Sequence, residues 1–148
     1  MRGVIVADGD PEARVRLVTQ LRSEGCSVFA TDSAAEAVAA VLRGEGPVVV
    51  VGSRVAGMSV VELLGILERC KRPLRVIVAT EETRIPALRR IRQERVFYML
   101  AKPLEADDGA EIRQAVRCAL ASVDTETRRR GNEEQVGMLL DPVLLRSG

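Results

Sequence analysis

Val4-Ile5-Val6-Ala7-Asp8-Gly9-Asp10-Pro11 is the stretch that decides how this chain folds. Its first four residues are apolar without alternation, which predicts a strand covered on both faces, as in the middle of a parallel sheet. Asp8-Gly9-Asp10 breaks the run. Asp10 before Pro11 has the form of a helix N-cap followed by proline at the first helical position, where no backbone N–H is needed. Working outward, the same unit recurs. Short β-branched runs at Ser27-Val28-Phe29, Val48 to Val51, Arg75 to Val78 and Phe97 to Leu100 alternate with segments of helical period. Those segments are Pro11 to Glu24, Ser33 to Arg43, Ser59 to Lys71, Ile85 to Glu94 and a last one from near Asp107. Ser33-x-x-Glu36 and Ser59-x-x-Glu62 both have the capping-box form. Five strand–helix units predict the α/β class, a five-stranded parallel sheet with helices on both faces.

Composition removes several chemistries. The chain has 148 residues, 22 Lys plus Arg against 21 Asp plus Glu, 47% hydrophobic residues and 29% charged ones. That suits one globular domain. With no histidine, a Ser-His-Asp triad, a His-ligated metal and a phosphohistidine are all excluded. Cys26, Cys70 and Cys118 are too scattered for a zinc knuckle or a dithiol motif, and each is expected to be a small core hydrophobe in a reducing compartment. No apolar run approaches the about 20 residues that span a bilayer, and Gly3 to Ala7 is too short for a signal peptide, so the expected location is cytoplasmic, off the membrane. Three aromatics and a net charge of +1 make nucleic acid an unlikely partner.

The last helical segment carries Ile112, Ala115, Val116, Ala119, Leu120 and Val123 on one face and turns polar at Asp124. This predicts a domain over residues 1–123 and an extension over 124–148, made of a helix continuation and an apolar tail from Val136 to Leu145. Arg128 to Arg130 followed by Gly131 has the form of a helix stop. The residues after Val123 are too few for a DNA-binding or ATPase output module, so the chain is read as a single-domain regulator or a segment of a longer protein.

In an open parallel sheet, chemistry gathers outside the C-terminal ends of the strands. Here those ends are Ala7-Asp8-Gly9-Asp10, Val51-Gly52-Ser53, Ala79-Thr80-Glu81 and Leu100-Ala101-Lys102-Pro103. In order and spacing these resemble the receiver domain of two-component response regulators over roughly residues 3 to 121. Val4 to Pro11 is similar to the family's first strand and acidic loop, and Val48 to Met58 to its phosphoacceptor strand and following loop. Val76 to Thr80 resembles the strand with the switch threonine, and Ala101-Lys102-Pro103 the Lys-Pro signature. The resemblance implies a doubly wound, flavodoxin-like (βα)5 fold with strand order 2-1-3-4-5.

It also implies which positions would carry phosphorylation, and several are changed. In the family, two acids on the first loop and the phosphoacceptor aspartate on the third strand hold magnesium. Carried over, these positions are Asp8, Gly9 and Gly52. Glycine offers no nucleophile, and one carboxylate is a poor cage for a cation that takes several oxygens. Magnesium binding is expected to be weak or absent, with no metal site, no catalytic residue and no enzymatic activity. Asp10 reads as a helix cap, and Ser53, one residue past Gly52, is expected to point to the opposite sheet face. Thr80 and Lys102 match the phosphate-contacting hydroxyl and ammonium, and Lys102 is expected to pair with Asp8 and hold the loops in one state. The switch-aromatic position is Met99, with Tyr98 one place off.

What remains is a surface. The fourth helix reads Pro86-Ala87-Leu88-Arg89-Arg90-Ile91-Arg92-Gln93-Glu94-Arg95, while the last opens with Asp107, Asp108 and Glu111. A symmetric homodimer could set Arg89, Arg90 and Arg92 of one subunit against those carboxylates of the other, through the fourth helix, fifth strand and fifth helix. The tail, with Leu139 and Leu140, is expected to dock back, join a dimer or meet another protein. These residues predict a phosphorylation-independent signalling and protein-interaction module whose partner is unnamed. Two rivals stand beside it: a receiver phosphorylated at an atypical residue, and a DNA-associated transcriptional regulator using the basic fourth helix and Arg128 to Arg130.

Overall fold

Apolar residues at every position of a strand leave it nowhere to sit but between two layers of helices. The computed structural model describes residues 3–70, 72–81, 84–93, 95–102 and 108–147, with backbone alone for 85, 92, 93 and 135–147. Its elements run β1 (Gly3–Ala7), α1 (Pro11–Ser23), β2 (Ser27–Thr31), α2 (Ala34–Arg43), β3 (Val48–Val51), α3 (Val60–Arg69), β4 (Arg75–Thr80), α4 (Ile85–Gln93), β5 (Tyr98–Ala101) and α5 (Gly109–Ser147). The five strands form one sheet in the order β2-β1-β3-β4-β5. All neighbours are parallel, with Gly3 opposite Ser27, Val4 opposite Val48, Val48 opposite Arg75 and Ile77 opposite Tyr98. The order reverses between β1 and β3, so a crevice opens at their C-terminal ends.

Alternation along the strands divides the core in two. Val4, Val6, Val48 and Val50 face Leu17 and Leu21 of α1 and Ile112, Val116 and Ala119 of α5. Ile5, Ala7, Val49 and Val51 face Ala37 and Val41 of α2 and Leu63, Leu64 and Leu67 of α3, with Ile91 of α4 beside them. Each fully buried branched side chain favours the fold by about 1.5–3 kcal/mol relative to exposure, and β3 buries all four of its valines.

The helix starts follow local chemistry. The Asp10 side chain accepts a hydrogen bond from the Glu12 N–H at 3.1 Å, with Pro11 opening α1. Ser59 and Glu62 form a complete capping box. At α2 only half of the expected box is made. Ser33 accepts from the Glu36 N–H at 3.3 Å, but the Glu36 carboxylate takes the Thr31 hydroxyl at 2.6 Å instead of the cap backbone. Gly44 ends α2 in the left-handed conformation at φ 78°, a conformation glycine adopts without a Cβ penalty.

Two expectations are corrected. α5 does not stop at Gly131 but continues, through Pro142, to Ser147. A glycine stop requires a left-handed residue, and Gly131 is not among the positive-φ glycines. Nor are all three cysteines core residues. Cys26 is buried, Cys70 is half-buried with its thiol 3.5 Å from the Ile66 carbonyl, and Cys118 is exposed, because it falls on the outer side of α5. Among the described residues, no helix is long and apolar enough to cross a membrane.

Candidate functional site

β1 delivers Asp8 to the crevice by running one residue beyond its ladder. The Asp8 N–H donates to the Thr31 carbonyl at 3.0 Å, and the Gly52 N–H to the Ala7 carbonyl at 2.7 Å. Asp8 is fully buried, so its charge must be answered inside the protein. Oδ1 accepts the Asp10 N–H at 2.9 Å. Oδ2 accepts no well-directed hydrogen bond, and its partner is the Lys102 ammonium, with Nζ at 2.7 Å. The Lys102 side chain is 2% exposed. β5 brings it there: its own N–H donates to the Thr80 carbonyl at 2.8 Å, carrying the β4–β5 ladder past Ala101.

Lys102 Nζ also donates to Ser53 Oγ at 2.9 Å, and Ser53 Oγ donates to Glu81 Oε1 at 3.3 Å. Asp8, Lys102, Ser53 and Glu81 therefore form a polar chain, with carboxylates at both ends, linking the ends of β1, β5, β3 and β4. Ser53 thus lies on the site side and not, as alternation along the strand predicts, on the opposite sheet face. Side-chain alternation holds only inside a strand, and β3 ends at Val51. Beyond it Arg54 adopts φ 58°, a left-handed geometry uncommon for a residue with a side chain. That bend brings the Ser53 carbonyl to accept the Gly9 N–H at 3.0 Å.

Both glycines sit in close contact in this arrangement, Gly9 against backbone and Gly52 against a side chain. A Cβ at Gly52 would collide with the Asp8 carboxylate, and one at Gly9 with the Arg54 carbonyl. The space that a second and third acid would occupy is filled by Asp8 itself and by backbone. Arg14 closes the rear, donating to the Asp8 carbonyl at 2.8 Å.

The donor set does not fit magnesium. Among the described residues Asp8 is the fully buried carboxylate of the site, with Lys102 on its Oδ2, while Asp10 is turned away to cap α1 and Glu81 reaches the chain only through Ser53. Among the described residues no group of three or more His, Cys, Asp or Glu side chains could hold a metal.

The remaining positions named from sequence lie apart from this chain, save one. Thr80 is half-buried at the end of β4, beside Lys102. Met99 is half-buried and packs against the α2–α3–α4 face. Tyr98 is 39% exposed and its hydroxyl donates to Glu111 Oε1 at 2.9 Å. The hydrogen bond to the Glu111 carboxylate, helped by slight desolvation and the carboxylate's charge, raises the Tyr98 phenol above its ordinary pKa. Arg89 and Arg90 are exposed on α4, Glu111 is exposed on α5, and Asp108 is half-buried. The side chains of Arg92, Leu139 and Leu140, and the whole of Pro103 and Asp107, lie outside the described residues.

Ser53, Glu81 and Arg14 are the site residues that sequence reading missed. Glu81 carried a signal, an acid directly after a strand-end threonine, whereas Arg14 sits one helical turn beyond the Asp10 cap with nothing to mark it.

A model of the response regulator receiver domain matches residues 4–124. The transcriptional regulatory protein GlrR of Escherichia coli (strain K12) is 29% identical over 143 residues, covering 97% of this chain and 31% of that protein. The chain thus spans about a third of that curated relative's length. The crystal structure of the signal receiver domain of a putative LuxO repressor protein from Vibrio parahaemolyticus superposes with a TM-score of 0.76 at 16% identity, covering 86% of this chain and 96% of that one. The response regulator StyR gives a TM-score of 0.76 at 25% identity, covering 94% of this chain and 69% of that one.

Proposed function

Because the chain belongs to the response regulator receiver domain family, we propose that it is a pseudo-receiver: a signalling and protein-interaction module that works without phosphorylation. One observation carries the reading. At the phosphoacceptor position stands Gly52, and the Asp8 carboxylate, paired with Lys102, lies where a side chain at 52 would have to begin. An acyl phosphate needs a carboxylate there, and phosphoryl transfer needs positioned cationic charge to stabilise it. Here the one matching cation is already neutralised by a buried carboxylate. The chain Asp8–Lys102–Ser53–Glu81 then acts as a fixed clasp that holds four strand-end loops in a single arrangement, so the message is a constant surface.

The working domain in this reading is residues 1–123, and 124–148 is an extension that continues α5 toward partners. The surface offered is α4, β5 and α5, and the basic residues Arg89, Arg90 and Arg92 of α4 are the ones to meet the acidic start of α5 on a second copy or an acidic protein partner. Output through transcription is the role given by name to GlrR, and it is the nearest context in which such a module would act. The module has no enzymatic role of its own and is placed in the cytoplasm.

The test is incubation with acetyl phosphate and magnesium followed by intact mass measurement. The expected result is no phosphoryl adduct and no change in oligomeric mass by light scattering. A stoichiometric adduct, or beryllofluoride seated beside Asp8, would show that an atypical acceptor operates. Deleting residues 132–148 should leave cooperative unfolding intact while changing oligomeric mass or partner capture; loss of cooperativity would assign the tail to the core.

A further inference from the structure

At the opposite end of the sheet from Asp8, a cavity of about 350 Å³ opens between the end of α3, the starts of β4 and β5, and α5. Its size falls within the range of about 300–1,000 Å³ common to small-ligand pockets. Four guanidiniums line it, Arg72, Arg75, Arg95 and Arg130, against two carboxylates, Glu68 and Glu126. Its apolar wall comes from α3 leucines and from Phe97, an aromatic left 37% exposed.

The guanidiniums are not equally committed. Arg75 is held by Ser122 Oγ at 2.9 Å and the Leu74 carbonyl at 2.9 Å, and Arg72 by the Leu42 carbonyl at 2.7 Å. Among the described residues Arg95 pairs with Glu68 at 3.2 Å and Arg130 with Glu126 at 3.7 Å, and their side chains are 87% and 58% exposed. Glu126 Oε2 is buried yet accepts no hydrogen bond, its nearest cation being Arg75 NH1 at 3.5 Å. The cavity therefore presents two exposed guanidiniums, in a lining of four arginines against two carboxylates, beside an aromatic wall.

We propose that this cavity binds a small organic anion with a flat or apolar body and a carboxylate or phosphate head for Arg95 and Arg130. The position gives such binding a consequence. Val123 is buried in the core, whereas Thr127 to Arg130 are exposed, so the cavity sits where α5 leaves the domain. A ligand there ties the sheet body, through Arg95 and Phe97, to the departing helix, through Arg130. This would be an input separate from the phosphorylation site, and it stands whether or not the pseudo-receiver reading holds.

The experiment titrates the full chain with adenosine monophosphate, with 4-hydroxyphenylacetate and with inorganic phosphate, following backbone amide resonances. Saturable shifts confined to Cys70, Val96, Phe97 and the α5 segment around Glu126 are expected for one or both organic probes, and the responding probe identifies the head group. Replacing Arg95 and Arg130 together by alanine should weaken that binding at least about tenfold, the loss expected of one charge-assisted hydrogen bond. Both side chains are exposed, so the fold is expected to survive, which circular dichroism checks. No saturation by either organic probe at millimolar concentration, equal binding by inorganic phosphate, or unchanged binding in the double variant would each overturn the proposal.

Discussion

Replacing Lys102 by methionine keeps the length and bulk of the side chain and removes only its charge and its donors. Asp8 is completely buried and Lys102 nearly so, so the variant strands a carboxylate whose Oδ2 has lost its cation while Oδ1 keeps the Asp10 N–H. Removing one partner of a buried pair costs about 3–5 kcal/mol, because the surviving charge stays uncompensated. Ser53 Oγ loses its donor as well, adding roughly 1 kcal/mol. Set against a total stability of about 5–15 kcal/mol for a domain, this is a large fraction, and it should lower Tm by roughly 15 °C. Urea unfolding measures it, with a shifted midpoint at unchanged slope. The double variant Asp8→Asn, Lys102→Met should recover at least about 2 kcal/mol of the loss, since a neutral pair no longer carries the desolvation penalty. A single Lys102→Met variant that loses less than about 1 kcal/mol would refute the reasoning: the ammonium would then be solvated and the clasp absent.

Gly52→Asp is expected to destabilise the chain by roughly 1–3 kcal/mol from overpacking against the Asp8 carboxylate, and to gain no acetyl phosphate reactivity; a phosphorylated variant by mass would contradict the closed pocket. Tyr98 is the chain's one tyrosine, so tyrosinate absorbance reports it alone. Its phenol should titrate above the ordinary value of about 10, and Glu111→Gln should bring it back down. Since the folded pKa is the raised one, the stability from this contact is full below about pH 10 and is lost as pH rises through the folded value; unfolding that is insensitive to pH there would sink the contact. Ser59→Ala removes a complete capping box and should cost about 1 kcal/mol by thermal unfolding. Ser33→Ala should cost less, because Glu36 is already engaged with Thr31.

The residues that local rules describe well are those whose partners lie within a few positions. Asp10, Ser59 and Glu62 cap helices by contacts two or three residues away, and the unbroken valines of β3 state their own burial on both faces. Those features are legible without any fold. Reading faltered where a local rule was carried past its element. Alternation was extended beyond Val51 and sent Ser53 to the wrong face, and Gly131 was read as a stop although no left-handed turn forms there. At Ser33 the box failed because Thr31, a strand residue, competes for the same carboxylate.

By itself the sequence determined the five strand–helix units, the covered centre of the sheet and the vacancy at Gly52, since each depends on residue type and spacing alone. Tertiary structure alone decided how that vacancy is filled. The Lys102–Asp8 pair was legible from residue type and place, but Ser53 and Glu81 stand on two further strand ends, and only the packing of those ends shows that they join the pair and that the Asp8 carboxylate fills the space beside Gly52. The cavity beside Arg95 and Arg130 is likewise assembled from segments far apart in the chain. Charges brought together by folding acquire energies set by burial and distance, and neither quantity is written in the order of residues.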